Sequence, residues 1–438
     1  MKNFASTLKS TLCGLISKMA ETPEPFVKNP GVDFTRKRKL PFEDILRIVV
    51  SMGGNSINKE LLEAYDYDAG TATSSAFIQQ RDKIKPFAFE HLFHEFTGSF
   101  DSLALYKGFR LLAADGSDLH TPTNPKDIET YIQNRPPDKG HNIFHLNALY
   151  DLLNRIYVDA SVKTVRAANE RADLEELIER SDIVEGSVIV TADRGYEGYN
   201  TFAHIEKKGW NYVIRVKDIS SNGILSKLRL PQSGEFDLTL RLILTKKNTK
   251  EIRDNPDVYR RIPDHATFDF LDKDENQIFP ITLRIARFKL PGGSYEAIIT
   301  NLPESGFTTD EIKHIYSLRW GIETSFRKLK YTIGLNNFHS NKPEHIKQEI
   351  FARIIMYNFV ETVVSQAIIS AGRKRYIHQV NFTAATLVCR RFLRARSNIS
   401  ARKAETLISK YTVPIRPGRK CKCKPKFRTA VSFTYRAA

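Results

Sequence analysis

The sequence predicts an α/β domain on a mixed sheet, with an all-β stretch inserted into it and helical regions on either side. Three observations predict it. Two short apolar runs end in an acid, FRLLAAD at Asp115 and SVIVTAD at Asp193. Strand-like and helix-like segments alternate around them. A later stretch of period-two alternation then separates this block from a strongly amphipathic helix.

Composition sets the frame. At roughly 100–200 residues per domain, 438 residues suggest about three domains. The hydrophobic share of 41 % and charged share of 27 % are globular values. The formal charge of +17 favours a polyanionic partner, because each neutralised phosphate releases counterions. A solvated basic protein is the alternative. Cys13, Cys389, Cys421 and Cys423 are too few and too uneven for a disulfide framework. Cys421 and Cys423 are also spaced too closely for a zinc pair. No apolar run is long enough to span a membrane, and the N-terminus lacks a continuous apolar signal core. A cytoplasmic location is expected.

Residues 1–100 read as a helical, DNA-binding region. PFEDILRIVVSM and ELLEAY carry helical spacing, and TATSSAFIQQRDKIKPFAFEHLFHEF offers Thr and Ser caps. Arg81, Lys83 and Lys85 lie in this helix-turn-helix-like arrangement and are its first candidates for DNA contact. The run Arg36–Lys39 is a phosphate-binding arm or a solvated linker. Residues 101–218 form the first part of the core. IFHLNALYD and RIYVDASV flank a turn at Leu152–Asn154, NERADLEELIERSD and GYNTFAHIEKKG are helices, and NYVIRVKD is a further strand. The order β-β-β-α-β-α-β is that of an RNase H-like (retroviral integrase-like) core. A helical crossover returns to a neighbouring parallel strand, which brings Asp193 beside Asp115.

Residues 219–302 read as a β insertion, with EFDLTLRLILT, ATFDFL, FPITLRIARFKL and YEAIITNL as strands and turns at 272–276 and 291–293. Residues 303–345 return to the core, and residues 346–438 form a helical C-terminal region. Its last 38 residues carry eleven Lys/Arg and one acid.

The sharpest signal is YSLRWGIETSFRKLK. On an ideal helix Tyr316, Arg319, Glu323 and Lys330 share an arc of about 60°. Ile315, Leu318, Ile322, Phe326, Leu329 and Ile333 fill the adjoining arc, so one stripe docks on a sheet and the other runs along its edge. Alone, this describes a surface helix with an i,i+4 ion pair, and a lone Asp after a strand is usually a turn residue. Together Asp115, Asp193 and Glu323 supply three hard oxygen ligands, a set that suits Mg²⁺. Arg215 and Lys217 point to one side of the last strand and are phosphate candidates. Asp118, Glu170 and Glu197 read as turn or cap residues, and Trp320 as packing beside the polar stripe. The histidines show no ligand spacing.

The Y-x2-R-x3-E-x6-K spacing at Tyr316, Arg319, Glu323 and Lys330 resembles the signature of the insertion-sequence-4-like DDE transposases, a bacterial mobile-element group. The segments AADGS and TADRGYEGYNTF look like that group's two Asp motifs, and PIRPGR (Pro414–Arg419) is familiar from it. The resemblance covers roughly residues 41–420. It implies a cut-and-paste transposase in which Asp115, Asp193 and Glu323 hold two Mg²⁺ or Mn²⁺ ions. It implies cleavage at terminal inverted repeats, a DNA hairpin, and strand transfer into target DNA by a homodimer in a synaptic complex. Tyr316, Arg319 and Lys330 would contact DNA. A base extruded at such a hairpin needs an aromatic face, and Tyr295 and Phe288 are the nearest aromatics on the strands leading back to Glu323; packing within the β stretch is their alternative role. A nuclease or resolvase without strand transfer and an inactive DNA-binding relic are the alternatives.

Overall fold

The computed structural model describes residues 4–416 apart from residues 37, 102, 134–139, 185, 273–276, 368–375 and 395–398. Most of the basic tail, with Cys421 and Cys423, lies outside the described residues, as does most of the turn expected at 272–276. No described helix is long and apolar enough to cross a membrane.

The N-terminal region forms helices α1 (Phe4–Glu21), α2 (Phe42–Ser51), α3 (Ile57–Ala64), α4 (Ser74–Arg81) and α5 (Phe87–Gly98). Thr73 caps α4 by accepting from Ala76 N. Next come β1 (Arg110–Thr121), the two-residue β2 (Tyr131–Ile132), β3 (His141–Asp151), β4 (Ile156–Thr164), α6 (Glu170–Glu179), β5 (Val188–Ala192), α7 (Tyr199–Lys207) and β6 (Asn211–Val216). Asp151 ties the β3–β4 turn, its Oδ1 accepting from the backbone N–H groups of Leu153 and Asn154. The strands lie in the order β4-β3-β1-β5-β6. β1, β2 and β4 all pair antiparallel with β3, and β1, β5 and β6 are mutually parallel. The sheet is mixed, its elements follow the β-β-β-α-β-α-β order along the chain apart from the short β2, and β5 lies parallel beside β1 as the crossover rule requires.

The stretch that follows does not stand apart from that sheet. It contains β7 (Phe236–Thr245), α8 (Lys250–Asp254), β8 (Tyr259–Arg261), β9 (Phe279–Lys289) and β10 (Tyr295–Thr300). β10 pairs antiparallel with β6, β9 with β10, and β7 with β9, so one sheet continues through the whole region. The expected turn after β9 is present, with Gly293 at a φ of 88° that favours glycine. ATFDFL, expected as a strand, is not one. Phe268 and Leu271 are buried there, and the backbone N–H of Asp269 donates to Asn200 Oδ1 on α7, so this segment's bonds go to a helix and not to a ladder.

Side-chain alternation then assigns the two faces of the sheet. Leu112, Ala114, Val188, Val190 and Ile214 meet Leu174, Leu177 and Ile178 of α6 and Phe202 and Ile205 of α7. Leu111, Ile189, Val213 and Ile298 meet Ile312 and Ile315 of α9 (Thr309–Leu318). A capping box fixes the start of α9: Thr308 Oγ1 accepts from Glu311 N, and Glu311 accepts from Thr308 N. After α10 (Trp320–Arg327), the chain forms α11 (Pro343–Ser365), β11 (His378–Val380), α12 (Phe382–Leu393), α13 (Ala401–Lys410) and β12 (Thr412–Pro414). α11 packs against α2, α5, α12 and β4, joining the first hundred residues to the core.

That junction is charged inside. Arg81 is 1 % exposed and donates to Gln348 Oε1 (2.7 Å), Glu349 Oε1 (2.9 Å) and the His345 carbonyl (2.7 Å). Glu349 also accepts from His339 N and Nδ1, and Arg353 donates to the Gly53 carbonyl. Burial, helped by Arg81, pushes the His345 imidazole down to about 4 against the pull of Asp82. This histidine stays neutral in the fold but protonates in the unfolded chain near its ordinary 6.5. Its contribution to stability is therefore complete above about pH 6.5 and is lost as pH falls from there towards 4. The limit is about 3 kcal/mol at 1.36 kcal/mol per unit. Urea unfolding at pH 7 and pH 5 is expected to show a smaller acid-side loss in His345→Gln than in the wild type. An equal loss would contradict it.

Candidate active site

The first two carboxylates are brought together by strand register. Parallel pairing of β1 with β5 ends at Ala114 opposite Ala192. Asp115 and Asp193 are the next residue of each strand, where the two part. The expectation that Asp115 closes its strand is corrected: β1 runs on to Thr121 along β3, with Asp115 opposite Ala148. Asp193 does leave its strand and caps the turn Arg194–Tyr196, its Oδ1 accepting from Gly195 N at 2.7 Å. Asp115 Oδ1 accepts from Gly116 N at 3.0 Å.

Glu323 comes from the helix on the α9 side. Arg319 sits at the joint between α9 and α10 and is 4 % exposed. It donates to Glu323 Oε1 at 2.7 Å, and its Nη1 lies 3.8 Å from Asp115 Oδ2. Arg215, at the end of β6, lies 3.9 Å from Asp193 and 3.6 Å from Glu296. The ring of Tyr316 is 5.6 Å from the Arg319 guanidinium and 5.8 Å from that of Arg215. The Tyr316 ring thus lies beside the two arginines that face the carboxylates. Burial above all, with the charges of Asp193 and Glu323, pushes Asp115 up to about 6, although Arg319 and the Gly116 N–H oppose the shift. Three carboxylates share these two guanidinium groups, and hard oxygen donors of this kind suit a hard divalent cation.

A family model described as a transposase DDE domain matches residues 106–359. The chain belongs to this transposase family. Similar proteins include the transposase for insertion sequence element IS421 of Escherichia coli, 27 % identical over 79 residues, which are 18 % of this chain and 21 % of that protein. The InsL protein of insertion sequence element IS186A from Escherichia coli K12 matches with the same figures. The match thus spans about a fifth of the length of these curated relatives. Among solved structures, the cryo-EM structure of a piggyBac transposase synaptic complex with hairpin DNA covers 95 % of this chain and 87 % of its own, at 11 % identity and a TM-score of 0.45.

The transposase domain places the remaining expected residues unevenly. Lys330 lies in a wider π-type turn, Lys328–Thr332, and not on a continuous α-helix, so its phase differs from the ideal wheel. Its Nζ donates to the Asp118 carbonyl at 2.7 Å. Lys217 is exposed, and its Nζ donates to the Asn222 carbonyl. Arg81 is corrected from a DNA candidate to a buried structural residue, because its guanidinium is spent on α11. Lys83 bonds Gln80, and Lys85 bonds the Pro25 carbonyl; both are half-buried. Tyr295 carries the Arg287 guanidinium 3.8 Å above its ring, so one face is covered. Trp320, expected to pack, is 62 % exposed beside Arg319, because the helix joint turns it outward.

Asp118 and Glu170, expected as turn or cap residues, meet at the site with His145, which ligand spacing does not single out. His145 lies opposite Asp118 in the β1–β3 register, and its Nδ1 bonds Asp118 Oδ1 at 3.0 Å. Glu170 opens α6 and lies 3.7 Å from His145 Nε2. The signal available was the spacing of GHNIFHLNALYD, in which His145 faces the strand of Asp115 once the hairpin is folded. Glu197 does hold a loop, accepting from Lys217 N and Ile224 N. Away from this site, Glu175, His204 and Asp269 place ligand atoms within 4.8 Å of one another. His204 bonds Asp269, Asn200 donates to both Asp269 and Glu175, and Thr201 donates to Glu175, tying α6 and α7 to the loop before β9. Sequence spacing could not reveal this group, because 65 residues separate His204 from Asp269.

Proposed function

We propose that this chain is an insertion-sequence transposase of the insertion-sequence-4-like group, which cuts DNA at the ends of its own element and joins the freed 3′ ends to target DNA. The observation that carries the reading is the convergence of Asp115 and Asp193, at the parting of β1 and β5, with Glu323, linked through Arg319. Asp115, Asp193 and Glu323 would hold two Mg²⁺ or Mn²⁺ ions, which when bound supply an activated attacking oxygen and a stabilised leaving oxygen. Arg319, freed from the carboxylates, offers a phosphate a planar two-point grip, and Lys330 adds a point charge. Arg215 steadies Asp193 and the Tyr316 ring. Residues 1–100 would recognise the element ends, 101–218 and 303–345 would supply the catalytic core, 219–302 would be its insertion, and 346–438 would contribute further contacts. Two copies would act together on two ends.

The test is a nicking assay on DNA carrying the element's own ends. Mg²⁺ or Mn²⁺ is expected to support cleavage and strand transfer. Ca²⁺, which accepts looser and larger coordination, is expected to support neither. Full cleavage in a chelator would end this account, and cleavage without strand-transfer products would favour a nuclease.

A hairpin on the element end is the proposed intermediate. Its tight bend is relieved by extruding a base, and stacking on an aromatic returns about 1–3 kcal/mol. Trp320 offers the open face and Tyr295 the half-covered one. On denaturing gels, Trp320→Ala is expected to slow hairpin closure more than Tyr295→Ala, with the first nick unchanged in both. Equal hairpin yields in both variants and the wild type would remove both rings from that role.

A further inference from the structure

We propose that Glu170 is a fourth carboxylate of the cation site, oriented by the Asp118–His145 pair. The inference rests on the reading of Asp115, Asp193 and Glu323 given above and extends it to the opposite face of the sheet. Glu323 reaches the strand ends from the α10 side, and Glu170 reaches them from the α6 side.

Two glycines carry the first part of the argument. Gly116 directly follows Asp115, and a Cβ there would lie 2.6 Å from Glu170 Oε1 and 2.6 Å from His145 Nε2. Gly195 is the second residue after Asp193, and a Cβ there would lie 3.0 Å from Asp193 Oδ1 and 3.3 Å from Glu170 Oε2. One carboxylate thus rests on the backbone beside both aspartates, in space that any side chain at Gly116 would fill. An acid in the first turn of a helix also suits the helix dipole. That simpler role requires neither the bare strand at Gly116 nor a histidine behind it.

The histidine is the second, independent observation. His145 is 8 % exposed, and its Nδ1 is committed to Asp118. Its Nε2 is buried with no hydrogen-bond partner and lies 3.7 Å from Glu170 Oε1. Buried polar atoms are rarely left unbonded. The gap is just beyond hydrogen-bond reach, so a small turn of the Glu170 side chain closes it. Histidine and acid then form a carboxylate–histidine–carboxylate relay in which Asp118 fixes the ring and the ring fixes Glu170. A ligand oriented from behind in this way matches how cation-binding side chains are held elsewhere, where losing a supporting residue costs about 10–100-fold in metal affinity.

The test measures Mn²⁺ binding to the full chain without DNA, by the loss of the free-ion electron paramagnetic resonance signal, with circular dichroism as the check on folding. Glu170→Gln keeps the side chain's shape and is expected to weaken Mn²⁺ binding at least about 10-fold. Gly116→Ala leaves every carboxylate in the chain but pushes Glu170 aside, and the same direction is expected. His145→Gln is expected to fall between Glu170→Gln and wild type, as a positioning residue should. Asp193→Asn is the reference. If Asp193→Asn weakens binding while Glu170→Gln binds as tightly as wild type, Glu170 is not a ligand and this inference falls. If Asp193→Asn also binds as tightly as wild type, the reading of the triad falls with it.

Discussion

Replacing Asp193 with Asn is expected to lower DNA cleavage at least about 100-fold while leaving DNA affinity within a few-fold of wild type. Losing even an outer support of a bound cation costs about 10–100-fold, and Asp193 is proposed as a direct ligand. Affinity for DNA comes chiefly from Lys and Arg and the counterions they displace, and this substitution touches none of them. Asn is the cleaner choice over Ala, because an Asn side chain can still accept from Gly195 N and cap the turn at Arg194–Tyr196. Asp115→Asn is expected to cleave as poorly without losing stability, since burial already disfavours the charged form of Asp115. Glu323→Gln should match it in activity but leave Arg319 with a weaker partner. Cleavage rates and salt-dependent binding on the same end DNA check all three. A variant that cuts at near the wild-type rate would remove its residue from the site.

A second large effect is expected far from that chemistry. Arg81→Ala should cost about 3–5 kcal/mol of stability, because it leaves Glu349 buried without its close guanidinium partner. Arg81 and the buried Glu349 also hold two helices, α4 and α11, and the loop at His339 in one network. The urea midpoint should fall accordingly, whereas Lys83→Ala, at a half-buried position, should shift it little. A variant with wild-type stability but weaker DNA binding would restore Arg81 to the role its sequence position suggested.

These two cases show what the chain makes legible. Asp115, Asp193 and the α6 and α7 crossovers could be read because apolar runs, caps and handedness are local or nearly local rules. Register then put both acids at the same level, as parallel pairing demands. The helix joint at Arg319 and the π-type turn at Lys330 could not be read, because an ideal wheel assumes a constant 100° step. ATFDFL alternates like a strand, yet Asn200 captured its backbone. Arg81 looked like a surface cation because nothing nearby in sequence reveals an acid buried on α11. Glu170 looked like a helix cap for the same reason: its neighbours, Gly116, His145 and Gly195, lie on three other segments.

The Arg81–Glu349 pair also imposes a timetable on synthesis. The partners are 268 residues apart. At roughly 5–20 residues per second, a ribosome takes on the order of 15–50 s to deliver Glu349 after Arg81 has emerged. Throughout that interval the N-terminal helices carry a cation with nowhere to bury it and an apolar face with no α11 to cover it. The region proposed to hold DNA therefore reaches its final form only after Glu323 has been made, so a nascent chain has no finished DNA grip before it has a complete set of carboxylates.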